Sequence, residues 1–243
     1  MLPSNGREAN TKWNYHMTIQ ELSILLKYLK ENVDPKFFVM VLTQFGMGMR
    51  CSEMLHINMY DFRDKYSKLT YRQAKSNEIL PDEPVPEPLQ KIIIAYIYHN
   101  AHRMIDGYLF SDPKIHNKKN KMPTYTTETY GSYWAKWRQA VGKKHPGFLD
   151  HHFITSCSGR QMKMYRIGTH SLRRLHRTVL ANNVENPFIL KELCNYKDIS
   201  TLDRYVNGFK IREHKAQYLD PIIGPVISDA ALTAAGQTRL GEY

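Results

Sequence analysis

The chain has 243 residues, a formal net charge of +11 and an isoelectric point of about 9.4. That length favours one main domain, and the cationic excess favours a polyanionic partner, because each phosphate neutralised releases condensed counterions. The polar N-terminus, M-L-P-S-N-G-R-E-A-N, lacks the apolar core of a secretion signal, and the longest apolar run, around Ile92 to Ile97, falls far short of the roughly 20 residues that span a bilayer, so no membrane partner is expected. Cys51, Cys157 and Cys194 have no paired spacing, which argues against a disulfide framework and for a reducing, intracellular setting.

Residues 1–16, rich in Asn and Gly, read as a linker or frayed end. Thr18 followed by Glu21 has the form of a capping box and predicts a helix to about Glu31, with Leu22, Leu25, Leu26 and Leu29 on one face. Pro35 starts a second, apolar helix ending near Gly46. The stretch Gly46-Met47-Gly48-Met49-Arg50-Cys51-Ser52-Glu53-Met54-Leu55 follows. Its glycines permit a tight turn, Ser52 can cap the next helix, and Arg50 projects beside that helix's N-terminus, where exposed amides favour an anion.

From Lys68 to Pro86 the pattern changes to a β-hairpin: Leu69-Thr70-Tyr71 as one strand, Lys75-Ser76-Asn77-Glu78 as the turn, Ile79-Leu80-Pro81 as the other. Pro86 to Asn100 reads as a helix with Ile92, Ile93, Tyr96 and Ile97 facing the core. A basic stretch follows, carrying Lys114, His116, Lys118, Lys119 and Lys121, which suits phosphate contact. Trp134 and Trp137, at i and i+3 within Tyr130 to Val141, read as core. Lys143, Lys144, His145, His151, His152 and Cys157 lack the Cys-x-x-Cys or His-x-x-x-His spacing of a zinc site, and no metal is expected there. Gly159 to Arg166, with Arg160, Lys163 and Arg166, reads as another phosphate-facing segment.

The densest pattern runs from Gly168 to Tyr205: His170 and Arg173 at i and i+3 opening a helix, then a second short helix, then Tyr205 on a third amphipathic segment. It resembles the catalytic half of the tyrosine recombinase (phage integrase) family, whose signature is H-x-L-R, a Thr and a Leu on the same helix, then E-L-x-G-H-x-x-[IL]-S-T and a nucleophilic Tyr. Laid on this chain without a gap, the pattern falls on His170, Arg173, Thr178, Leu180, Glu192, Leu193, Ile199, Ser200, Thr201 and Tyr205. Upstream, the stretch from Gly46 to Leu55 resembles the family's first arginine box, G-x-R-x-S-E-x-x-x-L, with Asp61 where an acid commonly follows. The departure is Asn195-Tyr196 where the family has Gly-His. Asn substitutes readily for Gly at a helix end, whereas a phenol with a reference pKa of about 10 donates a hydrogen bond but shuttles protons poorly near neutrality.

The resemblance implies a mainly α fold with a small antiparallel β-hairpin sheet, the tyrosine recombinase catalytic-domain fold, over residues 17–210, with 211–243 a segment that packs on its own domain or docks on a neighbouring protomer. It implies cleavage and rejoining of double-stranded DNA through a 3′-phosphotyrosyl intermediate, without metal, nucleotide or other cofactor, by a dimer or tetramer on DNA. Tyr205 would be the nucleophile, Arg50 and Arg173 the clamp on the non-bridging oxygens, and His170 the group that orients phosphate or accepts the tyrosine proton. Lys75 in the hairpin would protonate the leaving oxygen, with Lys68 and Arg72 as alternatives, and Tyr196 would add a hydrogen bond. Lys118, Lys119, Lys121, Arg160, Lys163, Arg166 and Arg174 would touch DNA. The family's separate N-terminal DNA-clamping domain has no counterpart, so the chain reads as a catalytic fragment or a minimal enzyme. Two alternatives share much of the pattern: a type IB topoisomerase, and a non-catalytic DNA-binding relic. A metal-dependent nuclease lacks the acidic cluster it needs.

Overall fold

The computed structural model describes residues 17–74, 77–112, 114, 122–155, 159–184, 186–194 and 224. The fold is mainly helical with two small antiparallel sheets. Helix α1 (Ile19–Asn32) opens on the expected capping box: the Thr18 N–H donates to Glu21 Oε2 at 2.8 Å and the Glu21 N–H donates to Thr18 Oγ1 at 3.1 Å. Its Leu22, Leu25, Leu26 and Leu29 are buried as the i, i+3, i+4, i+7 spacing requires. Helix α2 (Pro35–Met47) follows, capped by Asp34, which accepts from the Lys36 N–H at 2.9 Å. Every residue from Lys36 to Met47 is buried, so α2 is the central helix of the fold, with α1, α3, α4, α5 and α6 against it.

Gly48 ends α2 at a φ of +62°, the left-handed conformation. A Cβ there would lie 2.4 Å from the His176 ring, so both backbone conformation and space demand glycine. Helix α3 (Cys51–Leu55) leads to a three-stranded sheet in the order β1 (Phe62–Arg63), β2 (Lys68–Arg72), β3 (Ile79–Pro84). Its register pairs Phe62 with Leu69 and Tyr71 with Leu80, with an irregularity between Leu69 and Tyr71. The hairpin read from the sequence is β2–β3; β1 is an addition too short to carry a periodic signal.

Helix α4 (Glu87–Asn100) buries Leu89, Ile92, Ile93, Ala95, Tyr96 and Ile97. Helix α5 (Thr127–Gly142) buries Tyr130, Trp134 and Trp137, and Trp137 meets Phe37 of α2 edge-on at 5.3 Å. The tryptophans are core, as their spacing predicts. The segment from His151 to Arg166 is a second hairpin, β4 (His151–Thr155) paired with β5 (Gln161–Tyr165) in the register Phe153 to Lys163. Helix α6 (Thr169–Asn183) packs against α2, and α7 (Pro187–Leu193) against α6. Tyr196, Tyr205 and the C-terminal segment 211–243, apart from Gly224, lie outside the described residues, as do Lys75, Lys118, Lys119 and Lys121. Among the described residues no helix is long and apolar enough to cross a membrane, and no cluster of His, Cys, Asp or Glu could hold a metal ion.

Candidate active site

Arg50 and Arg173 lie far apart in sequence and meet on one carboxylate. Glu53, on α3, has a side chain with 0% exposure. Its Oε1 accepts from Arg50 Nη1 at 2.7 Å and from the Ala74 N–H at 3.0 Å; its Oε2 accepts from the Arg50 N–H at 2.7 Å and lies 3.6 Å from Arg173 Nη1. Glu53, rather than Ser52, therefore caps α3, because the third helical residue reaches back to the capping N–H while Ser52 lies inside the first turn. Arg173 also donates to the Gly48 carbonyl at 2.5 Å. The two guanidinium groups keep 27% and 12% of their side-chain surface exposed, enough to meet an anion while their inner edges are held.

The Ala74 contact ties the β2–β3 turn to this carboxylate at the residue preceding Lys75. Lys75 itself is outside the described residues, whereas Lys68 pairs with Asp64 at 2.7 Å and Arg72 donates to the Asn77 carbonyl at 3.0 Å on the hairpin. Tyr71, buried on β2, feels both arginines; burial and then the Glu83 and Glu53 charges push its phenol far up, so it stays neutral.

His170 sits in the first turn of α6. Ser171 fixes that turn by accepting from the Gly168 N–H at 2.9 Å and donating to the Arg166 carbonyl at 3.0 Å. Partial burial, then the cations Arg174, Arg50 and Arg173, hold the imidazole below its ordinary 6.5, leaving it neutral near neutral pH. Burial, then the Arg177 cation, likewise pull the Arg173 guanidinium down while Glu53 pushes it up. A bound anion would relieve this crowding of positive charge.

Two buried side chains brace the site. Gln44 of α2 donates through Nε2 to the Thr169 carbonyl at 2.9 Å and, at 3.5 Å, to the Met49 carbonyl, and accepts from the Tyr130 hydroxyl at 3.3 Å. One amide thus ties the residue before Arg50 to the residue before His170. His176 shares a 2.8 Å hydrogen bond with the Phe45 carbonyl and fills the space beside Gly48. Sequence reasoning passed over Gln44 and His176, and quoted Glu53 without a role. The available signals were a lone amide in the apolar run of α2 and an acid at the capping-box position after Arg50.

The expected DNA contacts divide. Arg174 is exposed on α6, and Arg160 and Lys163 are exposed on or beside β5. Arg166 is committed inward: it pairs with Glu21, lies 3.4 Å from Asp150 through Nε and donates to the Gly147 carbonyl at 3.0 Å, joining the start of α1 to the approach to α6. Its guanidinium fork is occupied by the protein itself, which explains its 15% side-chain exposure. Cys51 and Cys194 are buried, and neither is in a disulfide.

No protein-family model and no curated protein sequence matches the chain. Solved structures do. The chain is similar to XerA recombinase at 17% identity and a TM-score of 0.52, covering 84% of this chain and 64% of that one. It is similar to a Tn1549 transposon integrase in complex with circular intermediate DNA at 20% identity and a TM-score of 0.52, covering 82% and 62%. A variant of that integrase in complex with transposon right end DNA matches at 22% identity and a TM-score of 0.52, covering 86% and 67%. The chain thus spans roughly two thirds of the length of the structures it matches. With its mainly helical body and small antiparallel sheets, the chain has the tyrosine recombinase catalytic-domain fold.

Proposed function

We propose that this protein breaks and rejoins double-stranded DNA as a site-specific recombinase or integrase. The observation that carries the reading is the convergence of Arg50 and Arg173 on the buried Glu53, beside the tethered β2–β3 turn, with His170 near enough to feel both cations. Two fixed guanidinium forks suit the non-bridging oxygens of one phosphodiester and the extra charge of its pentacoordinate transition state. The first turn of α6 adds backbone N–H groups that favour the same anion.

In this reading the Tyr205 oxygen attacks phosphorus and the bond to the 5′ oxygen breaks, leaving a 3′-phosphotyrosyl link and a free 5′ hydroxyl. His170 takes the phenolic proton or orients the phosphate, and Lys75 supplies the proton to the departing 5′ oxygen. Tyr196 donates one more hydrogen bond to the phosphate. Attack by a 5′ hydroxyl on the phosphotyrosine reverses the sequence, so bond energy is stored without ATP. Removing one preorganised donor from such a site costs about 2.7–4 kcal/mol of transition-state stabilisation. Arg174, Arg160, Lys163 and the Lys118, Lys119 and Lys121 stretch would hold flanking DNA, with a dimer or tetramer assembling on it.

The test is incubation with labelled duplexes, including nicked suicide substrates, followed by a denaturing gel in chelator. A protein-linked band that disappears in Tyr205→Phe, with DNA affinity retained, is the expected result. The same band persisting in Tyr205→Phe would remove the nucleophile assignment, and DNA binding without any band would leave a binding protein in place of an enzyme.

A further inference from the structure

The β4–β5 ribbon has no role in the chemistry above, yet its composition is unusual for a solvated hairpin. Among the described residues β4 and β5 pair with each other alone. A two-stranded ribbon is marginal in water, and this one leaves its apolar side chains uncovered: Phe153 is 62% exposed, Met162 and Met164 each 42%. The register puts Phe153 directly opposite Lys163 on one face, and sets Ile154 against Met162 and His152 against Met164 on the other. Both faces are therefore partly apolar, which is the reverse of a strand pair built to lie against its own core.

The base of the ribbon, in contrast, is firmly held. The Arg138 guanidinium lies 3.5 Å from the centre of the Tyr165 ring, the Arg166 N–H donates to the Asp150 carbonyl at 2.9 Å, and His151 Nδ1 is 2.9 Å from the Leu149 carbonyl. A rigid root with an uncovered blade points outward to a partner. Its charge selects which one: from His151 to Arg166 there is no acidic residue, while Arg160 and Lys163 flank the apolar side chains. Those local cations and the lack of any acid disfavour the same ribbon of a second copy as its occupant, whereas duplex DNA offers phosphates for the cations and apolar sugar and thymine-methyl surface for Phe153 and the methionines.

Resting on the DNA reading above, we propose that the β4–β5 ribbon is a second DNA-contacting arm that enters a groove beside the cleavage site and binds it chiefly through apolar contacts of Phe153, Met162 and Met164. A two-stranded ribbon fits the major groove. Five residues at about 3.3 Å each give a blade of about 17 Å, the length of about five base pairs, rooted five residues before His170.

The test combines crosslinking and affinity on a mixed-sequence duplex oligonucleotide. Phe153→p-benzoyl-Phe should, on irradiation, give a nuclease-sensitive protein–DNA adduct. The double variant Phe153→Ser, Met164→Ser should keep the wild-type melting temperature, since both side chains are exposed, and lose about tenfold in affinity with its salt dependence unchanged, because apolar contacts release no counterions. Lys163→Ala should instead lower the salt slope by about 1. Unchanged affinity in the double variant, or a crosslink to a second protein chain in place of DNA, overturns the arm while leaving the arginine site standing. Absence of DNA binding by the wild type would overturn both.

Discussion

Replacing Glu53 by Gln tests the centre of the site with a change of one charge and almost no volume. The carboxylate accepts three hydrogen bonds, from Arg50 Nη1, the Arg50 N–H and the Ala74 N–H, and neutralises Arg173 at 3.6 Å. An amide cannot keep all three: its NH2 must face either the Arg50 N–H or the pair formed by Arg50 Nη1 and Ala74, donor against donor. A hydrogen bond to a charged group contributes about 1.5–3 kcal/mol, and an orphaned buried donor costs about 1–3 kcal/mol more. Arg50 is 27% exposed and recovers part of its solvation, which brings the expected loss to about 3 kcal/mol. For a chain of this size that lowers Tm by about 6–12 °C. Cleavage should suffer separately. With the two guanidinium groups no longer held on a common anchor, one is misaimed, and adduct formation on a nicked duplex should slow by about 10²–10³ at temperatures well below the melting transition. Circular dichroism melting and single-turnover gels measure the two effects. A variant that melts within about 1 °C of wild type and cleaves at the wild-type rate would refute the claim that Glu53 organises the site.

Gly48→Ala would force a side chain into the left-handed region and put its Cβ 2.4 Å from the His176 ring. A loss of about 2–4 kcal/mol in thermal or denaturant unfolding is expected from strain plus the displaced ring, and His176→Ala in the same chain should recover only the steric share. His170 should titrate below 6.5 when followed by NMR in the free protein, and Arg174→Ala should raise its midpoint by removing the cation that lowers it most. The folded state prefers the neutral ring, so this residue's contribution to stability is complete above 6.5 and declines as pH falls below it. Binding of DNA or inorganic phosphate should move the midpoint up, since an anion favours the imidazolium; a midpoint at or above 6.5 in the free protein would contradict the cationic cluster.

Much of this protein is decided by short-range chemistry and is legible in the chain itself. The Thr18–Glu21 box, the Leu22, Leu25, Leu26, Leu29 stripe, Pro35 after a capping Asp34 and the Trp134–Trp137 pair each act within one or two turns, so residue spacing alone dictates them. The order of Arg50, a hairpin, and His170 with Arg173 is equally local in its parts, and the family resemblance follows from it. What the chain order does not reveal is which charges meet. The contact of Arg173 with the turn after α2 spans 125 positions and that of Arg166 with Glu21 spans 145, so one arginine faces the candidate site while the other becomes a clasp, although both lie in the same basic stretch. The β4–β5 ribbon escaped pattern reading for a different reason: with apolar and polar residues on both faces it lacks the one-sided alternation by which half-buried strands are recognised. Sequence determined the elements and the residue types at the candidate site; tertiary packing decided which cations are held inward and which stay exposed, because only the folded chain brings a buried carboxylate within reach of them.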